Sequence, residues 1–274
     1  MNMLELIQSL SDDNPCIRNA AVLELQFNGS EEIVEEVVKL CSAPNYKLRE
    51  ASAAVLGFVN IQDSAKLRLA TTCLTALALG DKSLRVRRSA ISSLGGRYSK
   101  SPSVRRYILP VLVETAKDTS ASIRLSTSEA LSNVRSKIAA PLIEKLLQDT
   151  DKYVRDWTAF YLQFTNLDSK CIREGLLLML QDEYDDARIE AIYALVNLKD
   201  RRVVPALKDE LENDSVILKM LEAAGDIGDV ALLPTLEGIV ASFKGDGDEG
   251  ERIAKKQYQR LLRKTQRQRR NLKN

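Results

Sequence analysis

Six times along this chain an apolar residue is followed by an arginine and, seven positions after it, by a leucine. The arginines are Arg18, Arg49, Arg87, Arg124, Arg155 and Arg188, and the leucines are Leu25, Leu56, Leu94, Leu131, Leu162 and Leu195. Successive arginines lie 31 to 38 residues apart, the length of one two-helix unit with its turns. The third position after each arginine is always small: Ala21, Ser52, Ala90, Thr127, Thr158 and Ala191. Apolar or small residues at the third, fourth and seventh positions give one buried helix face, and a small residue on it lets a neighbouring helix come close.

This periodicity predicts first helices near 15–27, 46–59, 84–97, 121–134, 152–164, 185–198 and 215–227, with Ile217 standing where the seventh arginine is expected. Second helices are predicted near 31–42, 64–79, 103–117, 138–148, 169–181, 202–212 and 231–243. Four of them carry a proline with apolar residues two and six positions on, at Pro110, Pro141, Pro205 and Pro234. Proline suits a first helical turn, where its missing amide hydrogen costs little. The fold class is therefore all-α, a right-handed α-solenoid of about seven two-helix repeats over residues 1–244. Residues 245–274 read as a glycine-acidic linker, a capping helix near 252–265 that carries Ile253, Tyr258, Leu261 and Leu262, and a basic disordered tail from Gln266.

Asp13, Asp81, Asp118, Asp151, Asp185 and Asp214, with Asn45 in the second repeat, stand before the first helices and read as N-caps. An arginine one turn later is badly placed for its own helix dipole, so its expected partner is an aspartate of an adjacent repeat. Such a ladder fixes the register of stacking and needs no catalytic explanation.

Composition narrows the chemistry. The chain has no histidine, which removes the usual general base near neutral pH and the commonest transition-metal ligand. Cys16, Cys41, Cys73 and Cys171 form no CxxC pair and fall in apolar helical stretches, so they are expected to be buried free thiols of a reducing compartment. No signal peptide and no apolar run long enough to span a bilayer is present, and the expected location is cytoplasmic. No cofactor, metal or membrane partner is expected, and the chain reads as non-enzymatic.

The net charge of +2 hides a segregation of signs. Residues 81–106 carry eight basic side chains against one acidic, 182–237 carry fourteen acidic against six basic, and ten basic residues with no acidic one follow Glu251. Two candidate surfaces emerge. Five of the fourteen aromatic residues fall within twelve positions, at Tyr153, Trp157, Phe160, Tyr161 and Phe164. Trp157 occupies a repeat position that elsewhere holds Ala20, Ala51, Ser89, Ser126 or Glu190, so it is expected to be at least partly exposed. With Asp156, Tyr161, Tyr184, Asp185, Asp186, Glu190 and Tyr193 it forms an aromatic and acidic set suited to a basic protein partner. The second surface, Arg85, Arg88, Arg97, Arg105 and Arg106, suits the phosphates of a nucleic acid.

The columns resemble the HEAT repeat. The stretches that carry the likeness are DKYVRDWTAF (151–160), IREGLLLML (172–180), ARIEAIYALVNLKDRRVVPAL (187–207) and LEAAGDIGDVALLPTL (221–236). LREASAAVLG (48–57), LALGDKSLRVRRSAI (77–91) and LLPTLEGIV (232–240) are similar to the small HEAT-repeat immunity proteins encoded beside Rhs-type contact-dependent toxins. That resemblance implies a bacterial cytoplasmic protein, a monomer or 1:1 heterocomplex, that binds and neutralises a cognate toxin domain encoded nearby. The alternatives are a nucleic-acid-binding HEAT protein, including one like the HEAT-type DNA glycosylases, and a general HEAT adaptor or lyase-type protein.

Overall fold

The structure is a computed structural model that describes residues 2–134, 137–213, 218–243 and 249–271. Among them every regular element is a helix, and the α-solenoid class expected from the repeats is what is found. The chain divides into two compact units, Met1–Leu167 and Asp168–Asn274. The division falls between the two helices of the fifth repeat.

The first unit opens with α1 (Met3–Ser9), which no repeat predicts and which is fixed by a capping box between Asn2 and Glu5. Then follow α2 (Pro15–Asn28), α3 (Val34–Leu40), α4 (Tyr46–Phe58), α5 (Ser64–Gly80), α6 (Leu84–Lys100), α7 (Arg105–Thr115), α8 (Ala121–Ser132), α9 (Ala140–Leu147) and α10 (Lys152–Leu162). The second unit comprises α11 (Lys170–Met179), α12 (Asp185–Asn197), α13 (Val204–Glu212), α14 (Leu218–Ile227), α15 (Leu233–Ser242) and α16 (Glu249–Asn271). Helices α3, α7, α9, α13 and α15 each follow a three-residue 3-10 turn. Pro141, Pro205 and Pro234 sit in first turns as expected. Pro110 does not: it lies inside α7, where the ring removes an amide from the helical ladder. Helix α16 continues to Asn271, past the point where a disordered tail was expected to begin.

All six leucines and all six small residues of the two columns are buried. The small column lets the first helices meet closely, and α4, α6, α8 and α10 pack in succession. Gly57 marks the tightest approach, since a Cβ there would stand 2.4 Å from Ser93 Oγ and 2.8 Å from its Cα. Buried hydroxyls are satisfied locally, with Ser52 donating to Leu48 O at 2.8 Å and Thr127 to Ile123 O at 2.9 Å.

The arginine column joins the repeats, by a geometry more specific than an ion pair between helix ends. One nitrogen reaches back to carbonyls of the loop before its own helix: Arg18 Nη1 to Asp12 O at 2.6 Å, Arg49 to Ala43 O, Arg124 to Asp118 O and Arg155 to Asp149 O, each at 2.8 Å. In Arg49, Arg87 and Arg124 the others reach forward to an aspartate leading into the next repeat, while Arg188 meets Glu210 at 3.1 Å. Arg49 grips Asp81 through Nε at 2.6 Å and Nη2 at 2.9 Å, Arg124 grips Asp149 at 2.7 Å twice, and Arg87 pairs with Asp118.

The expected caps need correcting accordingly. Asn45 and Asp151 do cap, accepting from Lys47 N and from Tyr153 N and Val154 N. Asn14 rather than Asp13 caps α2. Asp81 and Asp118 stand two residues earlier and brace the loop by accepting from Ser83 N and Ser120 N. Asp182 does the same for Tyr184 N, so Asp185 falls inside the first turn of α12. A carboxylate at that earlier position can accept from the loop and from the arginine together, which a cap cannot. Asp214 and Ile217 lie outside the described residues.

Arg49 holds the carboxyl of Asp81 below the usual carboxylate range, and Arg202, against some opposing burial, does the same for Asp200. A depressed folded-state pKa stabilises the fold above the unfolded value near 4 and ceases to do so as pH falls through the folded value. The melting midpoint is therefore expected to fall steadily from pH 5 to pH 2. Asp81→Ala, which leaves Arg49 part-buried without its carboxylate, is expected to cost about 3 kcal/mol and to flatten that acid dependence; an unchanged urea midpoint at pH 7 contradicts the ladder.

Candidate functional site

The first unit presents an aromatic stripe on α10. Trp157, Phe160, Tyr161 and Phe164 follow at three, four and seven residues, so they share one face at the C-terminal end of α10 and beyond. Their rings form an edge-packed cluster. Phe160 lies 5.2 Å from Trp157 and 5.0 Å from Phe164, while Tyr161 lies 5.7 Å from Trp157. Trp157 is 41% and Phe164 69% exposed, so solvent-facing aromatic surface continues along the stripe. Phe164 was not in the expected set, although its spacing from Trp157 places it on the same face.

Beside the stripe is a polar notch of about 360 Å³, lined by Glu50 of α4, Arg85, Arg88, Ser89 and Ser92 of α6, and Ser126 and Glu129 of α8. Arg88 donates to Ser126 Oγ at 3.2 Å, and Ser92 to Glu129 Oε1 at 3.2 Å. Burial raises the Tyr161 phenol, Glu129 raises it further, and Arg88 opposes them. Tyr161 is thus within electrostatic reach of two residues that line the notch. The notch offers guanidinium donors, carboxylate acceptors and hydroxyls, groups that complement side chains of either charge.

The expected partner surface is divided between the units. Asp156, Trp157 and Tyr161 belong to the first; Tyr184, Asp185, Asp186, Glu190 and Tyr193 belong to the second. In the second unit several members already have partners. Asp185 pairs with Arg188 at 2.9 Å, Glu190 is mostly covered and meets Lys219 at 3.3 Å, and the Tyr193 hydroxyl donates to Lys219 O. Lys219 also lies over the Tyr193 ring at 5.1 Å. Burial, followed by the charges of Glu222 and Glu190, pushes the Tyr193 phenol up. Asp186 remains exposed at the start of α12.

The basic set is dispersed and does not form one phosphate-binding surface. Arg97 is buried at 2% exposure, donating to Leu56 O and Val59 O at 2.7 Å each, the carbonyls at the end of α4. Arg105 is held on Tyr98 O at 2.8 Å and over the Tyr98 ring, while Arg106 is held on the Tyr107 hydroxyl at 2.6 Å. Arg85 and Arg88 alone of the five line the notch. A long cationic side chain with a carbonyl in reach has a structural use that charge counting does not register.

The thiols also depart from expectation. Cys16 is exposed, Cys73 and Cys171 are half-buried, and Cys41 is buried. The Cys41 thiol donates to Val37 O at 3.7 Å, and its neighbour Cys73, then burial, push it up. Among the described residues no group of three or more His, Cys, Asp or Glu side chains could hold a metal ion, and no helix is long and apolar enough to cross a membrane.

A family model described as HEAT repeats matches residues 3–95 and 71–163, and one described as PBS lyase HEAT-like repeat matches residues 187–213. Protein YibA of Escherichia coli (strain K12) is 36% identical over 243 residues, which span 89% of this chain and 86% of that protein. An X-ray structure of Escherichia coli YibA superposes with a TM-score of 0.77 at 35% identity, covering 96% of this chain and 93% of that one. The complex of CpcE and CpcF of phycocyanin lyase from Nostoc sp. is similar at a TM-score of 0.51 and 22% identity, covering 58% of this chain and 96% of that one, a likeness of fold.

Proposed function

Since the chain belongs to the HEAT-repeat family, with YibA among its relatives, we propose that it is a non-catalytic protein-binding scaffold, and specifically an immunity protein that binds and neutralises a cognate toxin domain in the bacterial cytoplasm. One observation carries this reading: the exposed ring cluster of Trp157, Phe160, Tyr161 and Phe164 on a helix whose opposite side is packed. Aromatic side chains bury large area at small entropic cost and are the usual anchors of protein interfaces. Free in water, exposed ring area costs solubility, and the Trp157 position holds only Ala20, Ala51, Ser89, Ser126 or Glu190 in the other repeats.

The partner's chemistry follows from what surrounds the rings. Glu50 and Glu129 in the notch would meet basic residues, while Arg85 and Arg88 would take a carboxylate or backbone carbonyls. A toxin that acts on nucleic acid presents basic residues around its own phosphate-binding site, and covering them blocks it. No residue in this reading has a catalytic role.

Co-purification with the product of the neighbouring gene tests the proposal. A tagged chain is expected to retain that product, and retention is expected to drop when Trp157→Ala is combined with Phe164→Ala. No complex in either direction of tagging removes the immunity reading. A complex that the double variant leaves intact keeps the scaffold and removes this surface.

A further inference from the structure

Helix α16 is the most strongly charged element of the molecule, and neither the repeats nor the proposed partner surface accounts for it. Ten basic residues and no acidic one follow Glu251. The helix packs on α14 and α15 through Ala254, Gln257 and Leu261, which are buried. The side turned outward carries Arg252, Lys255, Lys256, Gln259, Arg260 and Arg263 and no apolar residue. Between α16 and the end of α14 opens a cleft of about 760 Å³ whose walls include Lys255, Lys256, Arg260, Arg263 and Lys264 against the single carboxylate of Asp226.

Internal partners absorb part of this charge. Lys255 pairs with Glu251, Arg260 meets Asp226 at 3.2 Å with both side chains more than half exposed, and Lys264 donates to Gly228 O at 2.5 Å. For Lys256 and Arg263 no carboxylate is in reach among the described residues.

We propose that the outer face of α16 and its cleft bind the sugar–phosphate backbone of a nucleic-acid duplex, without reading sequence. The spacing favours a polyanion over a single phosphate: Arg252, Lys256, Arg260 and Lys264 recur every fourth residue, about 6 Å apart along the helix, instead of converging on one point. A bilayer fits poorly, because an interfacial helix needs an apolar side to insert and that side of α16 is packed on its own unit. An acidic protein fits poorly as well, since the outward face supplies no aromatic or aliphatic anchor. Phosphates need only accessible ammonium and guanidinium groups, and those are what the face offers.

Fluorescence anisotropy of the full chain with a labelled 20-base-pair duplex, titrated over a range of salt concentrations, tests this. Binding is expected at 50 mM salt and should weaken log-linearly, with a slope of about −0.9 per phosphate contacted. Lys256→Gln with Arg263→Gln should weaken affinity about tenfold and reduce the slope by about 2, with no change in melting temperature. Lys256→Glu with Arg263→Glu should weaken it further. Arg85→Gln with Arg88→Gln, in the first unit, should leave it unchanged. The proposal is overturned by the absence of an anisotropy change at 50 mM salt, by an equal loss from the Arg85 and Arg88 pair, or by equal competition from polyglutamate or anionic vesicles. None of these outcomes depends on whether a toxin partner is found.

Discussion

Arg97→Ala is expected to destabilise the first unit by about 3 kcal/mol, lowering its melting temperature by about 10 °C. Three contributions set that figure. Two buried carbonyls, Leu56 O and Val59 O, lose a charged donor at 2.7 Å each and gain nothing in exchange. Removing most of a fully packed side chain also leaves a cavity in the α4–α6 contact, which adds to the cost. Against these stands relief, since burial pushes the guanidinium down to about 10, and alanine no longer carries a charge out of water. The balance predicts an order. Arg97→Met fills the cavity and gives the same relief, so it should cost only about half as much. Thermal denaturation of the three proteins checks this, and a methionine variant less stable than the alanine variant would show that the charge itself holds the end of α4.

The second large effect is on binding. Trp157→Ala is expected to weaken the complex with the partner by at least 30-fold, about 2 kcal/mol, while shifting the melting temperature little. The ring is 41% exposed, so much of its area has no intramolecular contact to lose. Phe164→Ala should cost about tenfold. The two losses should not add, because both rings rest on Phe160, at 5.2 and 5.0 Å. Titration calorimetry of the purified pair measures each affinity, and a Trp157 variant that binds as tightly as the parent would move the interface elsewhere.

The repeats were legible because buried helix faces impose a period on the sequence that no other constraint disturbs. Leucine at one position and a small residue at another repeat six times, and every one of them is buried. What the period could not show is what a polar side chain does once the helices are stacked. Asp81 and Asp151 both precede a first helix and look alike in sequence. One receives an arginine from the previous repeat, and the other caps. Arg97 and Arg88 both belong to a basic block, yet one is sealed against carbonyls and the other lines an open notch.

The candidate surface was half legible for the same reason. Trp157 stood out because it broke a column of small residues, whereas the serines and glutamates of the notch conform to the pattern and carried no signal. Nothing in the sequence around Glu190 and Tyr193 marks their partner, Lys219, which comes from another helix and engages both.

Gly57 has a reach beyond its own contact. Its missing side chain lets α4 and α6 close to a separation at which Ser93 fills the space a methyl group would take. Glu50 is on the first of these helices, and Arg85, Ser89 and Ser92 are on the second, so the width of the notch is set from beneath. A methyl group at position 57 would act as a shim, moving opposite walls of the notch apart without altering any residue that lines it. Selection for a new partner could therefore act on an interior glycine.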